Sequence, residues 1–152
     1  MKIFILGNAQ RPGVTTQSEK LLPLLEKHFE VVLVDLEQKE DLSKYKADFT
    51  FVLGGDGAIL RAARQMGYNQ IPVLGINLGR LGFLADLNTA ELEECIPEIA
   101  NGNFRITNHL MFECFTDTKD KPGPFLGLNE ISIHSGAPFH MIEIDLIADE
   151  EP

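Results

Sequence analysis

Short apolar runs alternate with stretches of helical periodicity along the first part of the chain. Four of the runs are stopped by glycine or polar residues, as is typical of β-strands, and they occupy residues 3–6, 31–34, 49–53 and 72–76. Apolar residues recur near helical spacing within residues 16–29, 58–66 and 89–99. Strands that alternate with helices predict an α/β fold, with a parallel Rossmann-like sheet and flanking helices.

Local signals predict the limits of several of these elements. Thr16 and Glu19 form a capping-box pattern that predicts the start of the first helix, and Pro23 within it predicts either a kink or a late start. The β-branched run at residues 31–34 is typical of a buried parallel strand. The third helix is expected to begin near Thr89 and to be closed by Gly102.

The pattern changes after residue 103. No helical period follows, and residues 111–116, 128–134 and 141–148 are predicted to be strands with loops between them. We therefore expect an α/β domain over residues 1–103, followed over residues 104–152 by the start of an all-β domain. Three strands alone are marginally stable, so the chain is expected to be truncated.

Composition narrows the class of protein. The 152 residues carry 13 Lys+Arg against 23 Asp+Glu, and the resulting net charge of −10 argues against nucleic acid as a partner. Cys95 and Cys114 lack CxxC spacing and are expected to be buried thiols in a reducing compartment. No apolar run approaches the length of a membrane span, so we expect a cytoplasmic protein with no membrane partner.

The strongest candidate for chemistry is the segment Gly54-Gly55-Asp56-Gly57, between the third strand and the following helix. Small residues before a helix N-terminus let phosphate oxygens approach backbone N–H groups, and the helix dipole favours the anion. A carboxylate repels phosphate, so Asp56 is better explained as a base toward a hydroxyl or as a ligand of a metal that carries the phosphates. A tight Asp-Gly turn without chemical function is the alternative.

Two other segments are weaker candidates. Residues 75–84 form a second glycine-rich stretch, after the fourth strand. Two glycine-rich loops at the ends of adjacent strands favour a ligand-binding cleft, although glycines are also common in loops without a function. A Rossmann dehydrogenase is disfavoured, because the turn after the first strand lacks the GxGxxG fingerprint. Asn129-Glu130 is either a ligand-binding pair or a solvated pair at a strand start. His134 and His140 lack partners at metal spacing, so no zinc site is predicted.

Together these segments resemble the NAD kinase family. The resemblance is carried by GGDG at residues 54–57, by GINLGRLGFL at residues 75–84 and by Asn129-Glu130, and it continues through residues 131–146. GGDG alone is shared with phosphofructokinases and lipid kinases, whereas the second segment with the Asn-Glu pair is more specific. The chain resembles roughly the first half of the family's enzymes, without their second glycine-rich loop, which grips the adenosine.

The sequence also departs from the family at single positions. Ala58 stands where a threonine is usual, so one hydroxyl near the phosphates is missing. His109, Ser135 and His140 stand where arginines are usual, which removes fixed positive charge from the expected nucleotide site.

The resemblance implies phosphoryl transfer from ATP, or in some members from polyphosphate, to the 2′-hydroxyl of the adenosine ribose of NAD, giving NADP. It implies Asp56 as general base, with Mg²⁺ neutralising the phosphates. The other residues to which it assigns phosphate or substrate contacts are Gly54, Gly55, Gly57, Arg61, Asn129, Glu130 and His140. Phe83 is either a substrate contact or a core residue. No metal-ligating residue is assigned.

Two alternatives remain open at this point. One is another GGDG kinase, acting on a sugar phosphate or a lipid; the other is a non-catalytic nucleotide-binding fragment. The 152 residues alone are expected to be weakly active or inactive, because catalysis depends on holding hydroxyl and phosphate at near-attack distance. Their exposed strand edges predict pairing either with another chain, as in a homo-oligomer, or with the missing half of the enzyme.

Overall fold

The computed structural model describes residues 1–79, 82–85, 87–120, 122–138 and 140–149, and its main feature is a five-stranded parallel sheet. The strands are β1 (Lys2–Leu6), β2 (Glu30–Asp35), β3 (Phe49–Leu53), β4 (Val73–Asn77) and β5 (Leu87–Asn88). Their order across the sheet is β2-β1-β3-β4-β5, with every neighbouring pair parallel. The predicted α/β class is confirmed.

Helices cover both faces of this sheet. They are α1 (Val14–Leu25), α2 (Asp56–Met66) and α3 (Thr89–Ala100). Because successive side chains of a strand point to opposite faces, Phe51 of β3 packs with α1 and α3 on one side, and its neighbour Val52 packs with α2 on the other. Side chains of β1 and β3 contribute to both hydrophobic clusters, one on each face of the sheet.

The helix starts differ from two of the sequence signals. Helix α1 begins at Val14 after Gly13, which has φ 84° and no side-chain cap, so the capping box at Thr16 is wrong. A left-handed glycine turns the chain into the helix before Thr16 is reached. The capping box occurs instead at α3, where Asn88 Oδ1 accepts from the N–H groups of Ala90 and Glu91 at 3.0 Å each.

Helix α1 also continues through its proline. Pro23 lies inside α1, and the N–H of Glu26, beyond the proline, donates to the carbonyl of Leu22 at 2.9 Å.

The 3-10 turn Leu42–Lys44 precedes β3, and its residue Leu42 packs in the same hydrophobic cluster as α2. Strand β2 lies at the edge of the sheet and is only half-buried, so the prediction of a buried strand there is wrong.

The second part of the chain is much less regular. Strands β6 (Met111–Cys114) and β7 (Phe125–Leu128) form a two-stranded antiparallel sheet. The strand predicted for residues 128–134 is wrong, because the ladder ends at Leu128 and Asn129 adopts a left-handed φ of 76°. The strand predicted for residues 141–148 is also wrong: residues 141–147 form no strand, and Ala148 takes part only in an isolated β-bridge.

Both cysteines are free and half-buried, which corrects the expectation of fully buried thiols. In the described residues no helix has the length and apolar character needed to cross a membrane. The division of the chain at residue 103 stays a prediction, with the five-stranded sheet before it and the β6–β7 pair after it.

Candidate functional site

The strand order creates a crevice at the carboxyl end of the sheet. From β1 the chain passes to β2 on one side, whereas β3 lies on the other side of β1, so the loops after β1 and β3 leave in opposite directions. In open parallel sheets ligands bind at such a switch point. The loop at residues 7–13 and the segment at residues 54–57 both border this crevice, because they directly follow β1 and β3.

Glycines allow the segment after β3 to turn directly into α2. Gly54 has φ 138°, and its N–H continues the sheet by donating to the carbonyl of Ile76 at 2.9 Å. A Cβ at Gly54 would lie 2.9 Å from the Cβ of Ala58, so the first turn of α2 requires a glycine there. Gly55 precedes the helix without a side-chain cap, which leaves first-turn N–H groups available to an anion.

Asp56, the first residue of α2, has both carboxylate oxygens engaged by backbone. Its Oδ2 accepts from the N–H of Phe83 at 2.9 Å, and its Oδ1 accepts from the N–H of Leu84 at 3.0 Å. Hydrogen bonds from the backbone of Phe83 and Leu84 lower the pKa of Asp56 below its ordinary value. The half-buried carboxylate is therefore ionised near neutral pH.

Two glycines of the second segment allow close packing around Asp56. A Cβ at Gly82 would lie 2.3 Å from Oδ1 of Asp56, and a Cβ at Gly75 would lie 2.9 Å from the Cα of Ala85. Residues 82–85 therefore lie against both the start of α2 and β4. Gly79 differs, since a Cβ there meets nothing within 4 Å. Arg80 and Leu81 of the predicted segment lie outside the described residues.

Arg61 lies one turn into α2, close to the glycine segment. Its Nε donates to the carbonyl of Gly57 at 3.3 Å. Arg61 and Arg64 line a shallow cavity of about 330 Å³ together with Gln38 and Gln65. The structure thus brings together Gly54, Gly55, Asp56, Gly57, Arg61 and residues 82–84.

The remaining predicted residues lie apart from that group. Asn129 and Glu130 follow β7 and are exposed. His140 is also exposed, and its N–H donates to Oγ of Ser135 at 3.2 Å. Within the described part of the chain, no hydrogen bond joins these three residues to residues 54–57. The Phe83 side chain is fully exposed, so it is not a core residue.

Asp35 is a buried residue that the sequence interpretation missed. It ends β2, and its carboxylate accepts from the N–H of Gln38 at 2.7 Å and from Nε2 of Gln65 at 2.7 Å, besides three further backbone N–H groups. Burial raises its pKa, but these hydrogen bonds outweigh burial and lower it overall. Because Nε2 of Gln38 donates to the carbonyl of Gly7 at 3.1 Å, Asp35 shapes one wall of the crevice.

A larger cavity of about 700 Å³ lies between residues 103–111 and the sheet. Its walls include Phe49, Leu74, Leu84 and Phe104, but no residue of 54–57. For a metal, the described residues contain no group of three or more His, Cys, Asp or Glu side chains in ligating positions. Asp56 is the carboxylate of the glycine segment, and its oxygens already accept two N–H groups, so these residues do not form a metal cage.

Comparison with known proteins gives one consistent family. Residues 35–104 match the family described as the ATP-NAD kinase N-terminal domain. An NAD kinase of Rhodopirellula baltica is 42% identical over 151 residues, which cover 99% of this chain and 49% of that protein. An NAD kinase of Bacteroides fragilis is 35% identical over 95% of this chain and 55% of its own length. The chain therefore spans about half the length of these relatives.

Solved structures of similar proteins have the same fold. A yeast NADH kinase complexed with NADH has a TM-score of 0.65 at 21% identity, over 84% of this chain and 43% of that one. An NAD kinase from Archaeoglobus fulgidus in complex with ATP has a TM-score of 0.50 at 27% identity, over 68% of this chain and 38% of that one.

Proposed function

Because this chain belongs to the NAD kinase family, we propose that it acts in the transfer of a phosphoryl group from ATP to the 2′-hydroxyl of the adenosine ribose of NAD, giving NADP. The observation that carries the proposal is the position of Asp56. An ionised carboxylate begins α2 at the switch point of the sheet, between two glycine-rich segments at the ends of adjacent strands. The relative from Archaeoglobus fulgidus, solved with ATP, supports a nucleotide as phosphoryl donor.

In this proposal Asp56 accepts a hydrogen bond from the ribose hydroxyl. Each carboxylate oxygen accepts one backbone N–H and keeps a further lone pair for the substrate. A lowered pKa makes Asp56 a weak base, which suits phosphoryl transfer, because its loose transition state depends mainly on alignment and charge neutralisation. The hydroxyl oxygen attacks the γ-phosphorus as the bond to ADP breaks, and the proton passes to Asp56.

The other predicted residues take supporting roles. Gly54, Gly55 and Gly57 leave room for phosphates beside the N-terminus of α2, and the guanidinium of Arg61 is close enough to Gly57 to face the same anion. We propose Asn129, Glu130 and His140 as substrate contacts. Since these three are exposed and make no hydrogen bond to residues 54–57 in the described part of the chain, their role requires the substrate to bridge to them.

Mg²⁺ is proposed as part of the substrate complex. It commonly binds through one or two carboxylates together with substrate phosphates and keeps several waters. Because the described residues form no cage of three ligating side chains, we propose that the ion is held mainly by the phosphates of ATP. Its chemistry would be neutralisation of charge on the phosphoryl oxygens.

The test combines binding and product formation on the chain itself. Calorimetric titration with NAD is followed by incubation with NAD, ATP and Mg²⁺, and the product is measured with an NADP-specific dehydrogenase. We expect weak NAD binding and slow NADP formation that Asp56→Ala abolishes. Tight NAD binding that gives no product even at saturating ATP and Mg²⁺ would favour a nucleotide-binding protein without kinase activity. Phosphorylation of a sugar phosphate or lipid, with no NADP, would contradict the proposal in favour of another GGDG kinase.

Three broader expectations stay predictions. They are assembly as a homo-oligomer, absence of a nucleic-acid partner, and a cytoplasmic location. Sedimentation velocity measures the first, and the net charge of −10 is the observation that supports the second.

A further inference from the structure

We propose that Asp56 and Gly82 form a clasp that fixes residues 82–85 against the start of α2, which makes Asp56 a positioning residue as well as a candidate base. The clasp consists of the Asp56 carboxylate, the Cα of Gly82 and the N–H groups of Phe83 and Leu84. Through it, the two glycine-rich segments act as one unit.

The geometry requires both the charge and the missing side chain. The two carboxylate oxygens of Asp56 each accept one N–H, at 2.9 and 3.0 Å, from consecutive residues. A Cβ on Gly82 would lie 2.3 to 2.6 Å from three atoms of that same carboxylate, so either the carboxylate or the segment would have to move. The site therefore requires glycine at residue 82 for the space that the Asp56 carboxylate occupies.

Packing alone does not account for the position of this segment. Ala85 is buried against Gly75 of β4 and holds the far end, and Leu84 is half-buried in the cluster beneath α2. Phe83, the largest side chain of the segment, is fully exposed and contributes no hydrophobic anchor. The near end is therefore held by charge-assisted hydrogen bonds to Asp56, which are stronger than neutral ones.

The clasp changes how substitutions of Asp56 must be interpreted. Any variant that removes the carboxylate also releases Phe83 and Leu84, so a loss of activity combines lost proton acceptance with a displaced wall of the crevice. That consequence for catalysis rests on the proposed function. The clasp itself does not, and it is measured without NAD or turnover.

The direct measurement is hydrogen exchange at the Phe83 and Leu84 amides. In Gly82→Ala we expect both amides to exchange about tenfold or more faster, because hydrogen bonds to a charged group are lost. Gly79→Ala is the matched control in the same loop, where a new Cβ meets nothing within 4 Å, and exchange there should stay unchanged. Exchange in Gly82→Ala within about twofold of the parent would overturn the proposal.

Two further variants keep the test decisive if Gly82→Ala fails to fold. Asp56→Ala adds no atoms and should deprotect both amides, whereas Asp56→Asn keeps one acceptor oxygen and should leave one amide protected. A general structural role would not produce that difference between neighbouring amides. The double variant Asp56→Ala/Gly82→Ala should exchange no faster than Asp56→Ala alone, because the clash partner is gone; additive effects would contradict the clasp.

A fluorescence measurement provides an independent readout. The sequence contains no tryptophan, so Phe83→Trp introduces a single reporter at a fully exposed side chain. Its anisotropy should fall when Gly82→Ala or Asp56→Ala is added, and should not change with Gly79→Ala. Equal anisotropy in all these proteins would count against the clasp, whatever the outcome of the kinase assay.

Discussion

Similar hydrophobic patterns occur in the first hundred residues and in those that follow, but their apolar side chains are buried only in the first region. Every buried hydrophobic side chain of the described chain lies between Ile3 and Ile99, where strands are covered by helices on both faces. In residues 101–149 the apolar side chains are largely exposed, with Met141 at 100% and Leu146 at 79%. The β6–β7 pair is the one sheet in the described part of that region, and a two-stranded ladder is marginally stable by itself.

The difference shows that alternating apolar and polar residues indicate a surface suited to burial but are not sufficient to form a strand. A strand needs a neighbour for its N–H and C=O groups. Strand β3 has one on each side, whereas residues 141–147 belong to no strand and are irregular, with Ile144 exposed. Such an apolar surface is typical of a region that contacts another polypeptide surface.

The largest expected difference between the two regions is the loss of stability when a phenylalanine is replaced by alanine. Phe51 is fully buried and packs its ring 5.4 Å from Phe29 and 5.3 Å from Phe49. Phe51→Ala should lower the free energy of unfolding by about 3–5 kcal/mol, through lost transfer energy and a cavity. Phe115→Ala, at a side chain that is 66% exposed, should change it by less than about 0.5 kcal/mol. Urea denaturation of both variants measures the contrast, and equal losses would refute it.

The first region was also the one that the sequence predicted well. In residues 49–53 the length of the apolar run, its β-branched residues and the glycine that follows it all indicate a strand. The observed limits of β3 therefore match the predicted ones. The start of α1 was missed because a capping box is a local signal, and Gly13 with its left-handed φ begins the helix earlier. The two-residue β5 is too short to have a period at all.

For the candidate site, sequence motifs indicated residues but not their contacts. GGDG predicted the position of Asp56, yet nothing in the spacing indicates that residues 82–84 close over its carboxylate. Asp35 was missed because one acid after a strand is common, and its five donors come from residues 37–40 and from Gln65 in α2. The spacing also does not show which glycines of residues 75–84 need their missing side chain: Gly82 lies against Asp56, whereas the space around Gly79 is open.

The pH dependence of the free energy of unfolding should also distinguish the two regions, because the buried carboxylate of Asp35 belongs to the first one. Asp35→Asn should lower the free energy of unfolding by about 1–3 kcal/mol at neutral pH, since Asn keeps one acceptor oxygen and the donors to the other oxygen lose theirs. The pKa of Asp35 is lowered in the folded state, so its contribution is complete above the ordinary value of about 4 and is lost as pH falls through the lowered pKa.

The difference between parent and Asp35→Asn should therefore shrink below about pH 4. Urea denaturation over a pH series measures it. The exposed Asp145, in the second region, provides the control, and Asp145→Asn should change the free energy of unfolding at neutral pH by less than about 0.5 kcal/mol. A gap for Asp35→Asn that stays constant down to acid unfolding would contradict the assignment.

A smaller effect is expected at the helix caps. Asn88→Ala removes a side chain that accepts from Ala90 and Glu91 at the start of α3 and should cost about 1 kcal/mol. Thr16→Ala lies inside α1, where no capping role exists, and should change stability by less than about 0.5 kcal/mol. Thermal unfolding of the two variants compares the observed cap with the one expected from sequence. The opposite order of effects would restore the capping box at Thr16.

The smallest effect concerns the contact between the two regions, where the Tyr68 hydroxyl donates to Oε1 of Glu113 in β6. The hydrogen bond to this carboxylate raises the pKa of Tyr68, because losing the phenolic proton would place two negative charges together. The chain has two tyrosines, so Tyr45→Phe leaves Tyr68 as the single phenol. In that background Glu113→Gln should lower the pKa of Tyr68 toward its ordinary value of about 10, as measured by the ultraviolet absorbance of tyrosinate. An unchanged titration would mean that Glu113 of β6 does not lie beside Tyr68 in solution, and the two regions would then share less structure than this hydrogen bond indicates.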